Sequence, residues 1–253
     1  MTLTASAAVV VDDDAVTLVD PGSVGELDQL ARVVESRGLP WESITQVFYT
    51  HLHFDHYDLC HWPAFIERVL VPAREVDYIR QLMGFREYPE QYRDYLQTTH
   101  ERIARPFLRQ FVHYRHDHRY SDEALAANEK LVHYDGEARI SKHTYSLPLP
   151  GHCVGLHGLV VDGSVTGMGS GKGIIASDAV LSESDWRAND INLHMILNDS
   201  KAWFATRELL KQFDWILPGH GDAFMSGNRT AQSARTDSDT LVTTPMTTLI
   251  ATH

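Results

Sequence analysis

Between residues 50 and 56 the chain reads Thr-His-Leu-His-Phe-Asp-His, which places four candidate metal-binding side chains, His51, His53, Asp55 and His56, within six residues. The stretch 46–49 just before it is short and apolar and reads as a strand. His51 and His53 lie two positions apart, so an extended backbone points them the same way. Asp55 and His56 then fall on the turn that leaves the strand. Such a loop can present two imidazoles to one ion, and a carboxylate plus an imidazole to a second. The plainer alternative is a solvated, histidine-rich turn, a common feature at strand ends. Against it, packing four polar groups beside a core is costly unless something satisfies them.

The rest of the chain strengthens the metal reading. There are 15 histidines in 253 residues, and histidine is the commonest metal ligand. His152 stands in Leu149-Pro150-Gly151-His152, Asp178 follows the apolar run 174–177, and His220 stands in Pro218-Gly219-His220-Gly221. Each sits on a loop at the end of an expected strand, where α/β scaffolds place functional groups.

Periodicity outlines a layered α/β chain whose sheets are not simply parallel. Two β-branched runs, 7–12 and 15–19, flank an acidic turn and predict a hairpin. Residues 24–37 predict a helix, with Leu27, Leu30, Ala31 and Val34 on one face and Gly38 at its end. Residues 72–128 read as a helical insert. Strands are expected at 131–134, 138–140 and 143–147, and a further pair, 156–162 and 173–177, is joined by a glycine-rich loop. A helix is expected over 199–213, with Ala202, Ala205, Leu209 and Phe213 on its buried face. A last strand covers 215–217. Residues 228–253 are rich in Thr and Ser and are expected to form a loosely ordered tail after a single domain spanning 1–227.

The ordered set HxHxDH, PGH, an Asp after a strand, and PGHG resembles the metallo-β-lactamase superfamily over about residues 9–224, nearest to acyl-homoserine lactonases and glyoxalase II-like members. The resemblance implies an αββα sandwich: two mixed β-sheets face to face with helices outside. It implies that His51, His53 and His152 hold one metal, that Asp55, His56 and His220 hold a second, and that Asp178 bridges them. Asp20, in Asp20-Pro21-Gly22, matches a turn whose aspartate supports the ligands from behind. Relatives commonly carry a further strand ahead of position 7, so this chain is expected to have a trimmed first sheet or an upstream start.

Two dications would lower the pKa of a shared water from about 15.7 to near 7. The bridging hydroxide would then attack a carbonyl or phosphoryl centre, with Asp55 as the catalytic residue that orients it and takes its proton. The donor set suits two zinc ions best, with manganese or iron as alternatives. The expected reaction is hydrolysis of a small lactone or other carboxylic ester. Thioester hydrolysis of the glyoxalase II type is the nearest rival, followed by phosphodiester hydrolysis, mono-iron dioxygenase chemistry and a non-catalytic metal-binding role. Tyr57, where relatives carry a small residue, is a candidate substrate contact, with core packing as its competing role. Aromatic residues of the insert, from Tyr78 to Phe111, could cap the substrate, with ordinary helix packing or a homodimer contact as their competing roles.

Several features carry less. The run 113–118 holds three histidines but reads as a solvated helical face, and His157 reads as a core or supporting histidine. Residues 167–173 lack the spacing of a phosphate loop. The formal charge of -12 disfavours nucleic acid as a partner. Two cysteines, Cys60 and Cys153, exclude a disulfide framework and suggest a reducing, cytoplasmic setting. No apolar run is long enough for a membrane span.

Overall fold

The computed structural model describes residues 5–22, 27–53, 55–57, 62–78, 80, 129–165, 169–188, 199–227 and 247–251. Most of the expected helical insert, the run 113–118, Cys60 and residues 228–246 lie outside the described residues. No described helix is long and apolar enough to cross a membrane.

The first sheet contains β1 (Ala7–Val11), β2 (Val16–Val19), β3 (Gln46–Phe48), β4 (Arg68–Pro72) and β5 (Leu131–Tyr134). β1 and β2 form the expected antiparallel hairpin, and β2 through β5 run parallel. The second sheet contains β6 (Thr144–Pro148), β7 (His157–Val165), β8 (Gly169–Ser177), β9 (Trp215–Pro218) and β10 (Phe224–Met225). There β7 pairs antiparallel with both β6 and β8, while β8 and β9 run parallel. Both sheets are therefore mixed.

Alternation along the strands makes three cores. Ala7 and Val9 of β1, Val47 of β3, and Val69 and Val71 of β4 face one way. They meet Leu30 and Val34 of α1 (Leu27–Ser36). Their neighbours Ala8, Val10, Phe48 and Leu70 face the other way and meet Leu159, Val161, Ile175, Trp215 and Leu217 of the second sheet. The outer face of that sheet, with Val160, Ile174 and Ile216, packs against Leu210 of α3 (Ser200–Leu210). A short α2 (Glu183–Ala188) precedes α3. Successive side chains on a strand point to opposite faces, so β1, β3 and β4 each serve two cores at once. The result is the expected αββα sandwich.

Four local expectations change. Residues 163–165 and 169–172, expected within the glycine-rich loop, instead extend β7 and β8, with Gly163 opposite Gly171. Residues 138–140 form no strand, only an isolated bridge from Arg139 to Tyr145. The buried face of α3 is Trp203, Thr206, Arg207 and Leu210 rather than the alanine-leucine stripe. The reason is polar: Arg207 lies between the rings of Trp186 and Trp203 and bonds Asp185, and Thr206 donates to the carbonyl of Pro150. Within the expected tail, β11 (Thr247–Ala251) pairs antiparallel with β1 and parallel with the end of β7. Its β-branched residues suit a strand, and it links two sheet edges that would otherwise be bare.

Candidate metal centre

The cluster sits where strands end. β3 runs into Thr50–His53, β6 leads to His152, β8 ends at Ser177 beside Asp178, and β9 leads to His220. Every sequence-predicted ligand reaches this one place. His51 and His56 are fully buried, and His152 and Asp178 nearly so. Asp55 and His220 are partly open to solvent.

Asp178 organises the geometry. Its Oδ2 lies 3.3 Å from Nε2 of His152 and 3.9 Å from Nε2 of His51. Its Oδ1 lies 3.3 Å from Nε2 of His56 and 3.4 Å from Nε2 of His220. Beyond these, Nδ1 of His53 is 3.0 Å from Nε2 of His152, and Oδ2 of Asp55 is 3.6 Å from Nε2 of His220. Two donor groups result, His51, His53, His152 and Asp178 on one side and Asp55, His56 and His220 on the other.

These residues fit metal ions. Nε2 of His51, Nε2 of His56 and Oδ1 of Asp178 are buried yet make no hydrogen bond, an arrangement that costs stability unless a cation satisfies them. Zinc–nitrogen bonds of about 2.0–2.1 Å in a tetrahedral site put neighbouring donors about 3.3 Å apart, which is the spacing seen around Asp178.

Behind the cluster stands Asp20. Its Oδ1 accepts the backbone N–H of Thr50 at 2.8 Å. Its Oδ2 accepts the Thr50 hydroxyl at 2.6 Å, the Ser177 hydroxyl at 3.1 Å and Nδ1–H of His56 at 3.0 Å. Because Thr50 donates to Asp20, its oxygen is left to accept from Nδ1 of His51 at 3.0 Å. Both bonds place a ring proton on Nδ1 and turn Nε2 of His51 and His56 toward the cluster, the atom that ligation needs once it is unprotonated. Asp20 (φ 44°) and Ser177 (φ 49°) both adopt positive φ, a strained state for side chains other than glycine that concentrates at functional sites. Sequence reasoning missed Thr50 and Ser177. Their signal was a hydroxyl residue directly before a candidate donor at a strand end.

The electrostatics of the metal-free cluster follow from burial and charge. Burial pushes the His51 pKa well below 6.5, and neighbouring His56 and His53 push it further down. Burial also opposes charge on His56, but the carboxylates of Asp178 and Asp55 outweigh it and raise its pKa well above 6.5. His220 is raised as well, with Asp178 overcoming burial. Burial would push Asp178 up, yet His56 and His152 hold it well below 3.8.

The two Pro-Gly-His turns have steric reasons. A Cβ on Gly219 would lie 1.9 Å from Oδ1 of Asp178, so only glycine lets that carboxylate approach. A Cβ on Gly151, where φ is 133°, would lie 2.4 Å from the Cα of Trp203 in α3. Tyr57 is fully buried in the first core, its ring edge-on to Tyr49 at 4.7 Å. His157 is also buried; its Nδ1–H donates to the carbonyl of Gly155 at 2.7 Å, and it is not part of the cluster.

Residues 2–57 match the family model described as the metallo-beta-lactamase superfamily. A Thermotoga maritima protein described as a metallo-β-lactamase is 15% identical, with 89% of this chain and 90% of that one aligned at a TM-score of 0.53. A metallo-β-lactamase family protein from Thermus thermophilus is 18% identical over 86% of this chain and 69% of that one, at a TM-score of 0.55. This is the metallo-β-lactamase fold. AidC, described as a dizinc quorum-quenching lactonase in complex with a product, is 18% identical over 84% of this chain and 70% of its own, at a TM-score of 0.52. No curated protein matches the chain. Within this metallo-β-lactamase fold, the cluster lies beyond the carboxyl ends of β2 and β3 in one sheet and of β8 and β9 in the other, a recurrent place for ligand sites in α/β proteins.

Proposed function

We propose that the chain binds two metal ions, zinc by preference, and hydrolyses a small lactone or other carboxylic ester. In this reading His51, His53 and His152 hold one ion, Asp55, His56 and His220 hold the other, and Asp178 bridges. The observation that carries the reading is the division of Asp178, whose two oxygens face separate histidine sets at 3.3–3.9 Å. A donor set of nitrogen and oxygen suits zinc, then manganese or iron. Both a dizinc and a di-iron protein are among the structures that share the fold.

When bound, two dications lower the pKa of a water to near 7 and polarise a substrate oxygen. The chain's own residues supply orientation. Asp55 is the most exposed of the donors whose side chains surround Asp178, at 17%, so substrate approaches from its side, and its carboxylate orients the attacking water and accepts a proton from it. Asp20, Thr50 and Ser177 hold the His51 and His56 rings in place. The ester preference leans on AidC, a lactonase of the same fold.

The test is elemental analysis of protein purified without added metal, paired with hydrolysis assays over lactones, thioesters and phosphodiesters. The expected result is about two zinc ions per chain, chelator-sensitive lactone hydrolysis, and loss of both in Asp178→Asn. Turnover confined to thioesters or phosphodiesters would replace the substrate class. A chain that takes up no metal even on reconstitution would overturn the reading.

A further inference from the structure

Glu75 lies outside the cluster, in the helical turn at residues 73–78 that follows β4, and is 1% exposed. Its Oε1 accepts the backbone N–H of Gly155 at 2.7 Å. Burial raises the pKa of this carboxylate, and the Gly155 N–H, the Cys153 thiol and the Leu52 N–H pull it back down. A carboxylate this deep is retained only when hydrogen bonds offset its lost hydration.

The donors come from two different loops. Leu52 stands between His51 and His53, and Cys153 and Gly155 stand just after His152. The fit is close: a Cβ on Gly155 would lie 2.9 Å from Cγ of Glu75 and 2.8 Å from its backbone nitrogen. Nearby, the N–H of His157 donates to the carbonyl of Thr50 at 2.9 Å, tying the same two segments. The rings those loops carry meet at the cluster, where His53 and His152 are 3.0 Å apart.

We propose that Glu75 is a positioning residue that sets the separation of the His51–His53 loop and the His152 loop, and with it the donor spacing of the three-histidine metal position. It touches neither metal nor substrate and acts through Leu52 and Gly155. The proposal rests on the two-metal reading above. It predicts an asymmetric defect, because the loop that Glu75 anchors through Gly155 carries His152, which serves the three-histidine position alone.

The experiment is metal titration of wild type and Glu75→Gln against a chromogenic chelator, with cobalt absorption as a second readout. The variant keeps the size of the side chain but turns one acceptor into a donor facing an N–H. One of the two equivalents should weaken about 10–100-fold, with the other unchanged. No change, or equal weakening of both, overturns the proposal, since general loosening of the fold does not distinguish the positions. If wild type itself binds no metal, the two-metal reading fails instead. The tie is then read by amide hydrogen exchange, which must accelerate at Leu52 and Gly155 in the variant; unchanged exchange overturns it. If Glu75→Gln does not fold, Glu75→Asp, which keeps the charge and shortens the reach, is carried through the same measurements.

Discussion

Oδ2 of Asp20 lies 3.0 Å from Nδ1 of His56, and neither residue is exposed to solvent beyond 1%. The same carboxylate takes the Thr50 N–H and the hydroxyls of Thr50 and Ser177. Asp20→Asn turns one of these acceptors into an N–H₂ facing donors. Metal affinity should fall about 10–100-fold, as for other residues that orient a ligand. Competition titration with a chelator checks this, and far-ultraviolet circular dichroism checks that the fold is retained.

The two Pro-Gly-His turns should fail in different ways. In Gly219→Ala the new methyl group competes for the place of Oδ1 of Asp178, so metal content should drop while the metal-free protein keeps most of its stability. In Gly151→Ala the methyl group meets the backbone of α3 at a positive φ. That variant should lose about 1–3 kcal/mol or more of stability. Thermal unfolding of both metal-free variants, set beside their metal content, separates the two outcomes.

What the sequence showed and what it hid divide along a physical line. The candidate donors were legible because His51, His53, Asp55 and His56 crowd one short segment, and because two Pro-Gly-His turns follow apolar runs. The sandwich was legible through strand alternation, as at Ala7 to Val10. Thr50 and Ser177 were hidden because one hydroxyl residue at a strand end looks like any other. Glu75 was hidden because a glutamate in a polar helical stretch reads as solvated, and only the folded chain brings Gly155 to it. The buried face of α3 was misread because Arg207 is charged, and its burial depends on Trp186, 21 residues earlier, together with Trp203. β11 was missed because a Thr-rich segment offers no apolar stripe, and its partners lie at the other end of the chain and in the second sheet.

Metal uptake should be pH-dependent with a definite sign. In the metal-free chain burial opposes charge on His56 and His220, but Asp178 outweighs it and raises both pKa values above 6.5. These rings therefore keep their protons to higher pH than an ordinary histidine. A ligating imidazole must be neutral, so binding at pH 7 expels protons, and lowering the pH weakens binding. Apparent affinity should fall about tenfold per pH unit for each proton displaced. Titrations at pH 6, 7 and 8, with proton release followed in a weak buffer, measure it. Affinity independent of pH over that range would count against neutral histidines as the ligands.

Far from the cluster, Asp12 clamps the turn between β1 and β2 to the loop before β6. Its carboxylate accepts the Ser141 hydroxyl at 2.5 Å and, from His143, the backbone N–H and Nδ1, each at 2.7 Å. Burial alone would raise its pKa, but hydrogen bonds from Ser141 and His143 outweigh burial and hold it below 3.8. A carboxylate depressed in the folded state stabilises the fold at pH values above its unfolded pKa, and that contribution is lost as pH falls through the folded value. Asp12→Ala leaves buried donors unanswered and should cost about 1–3 kcal/mol at pH 7. Denaturant unfolding of parent and variant should show that gap at neutral pH and a narrower one at pH 3, where protonation has begun to remove from the parent what the substitution already removed. A gap that stays constant with pH would show that the clamp works through shape rather than through the carboxylate.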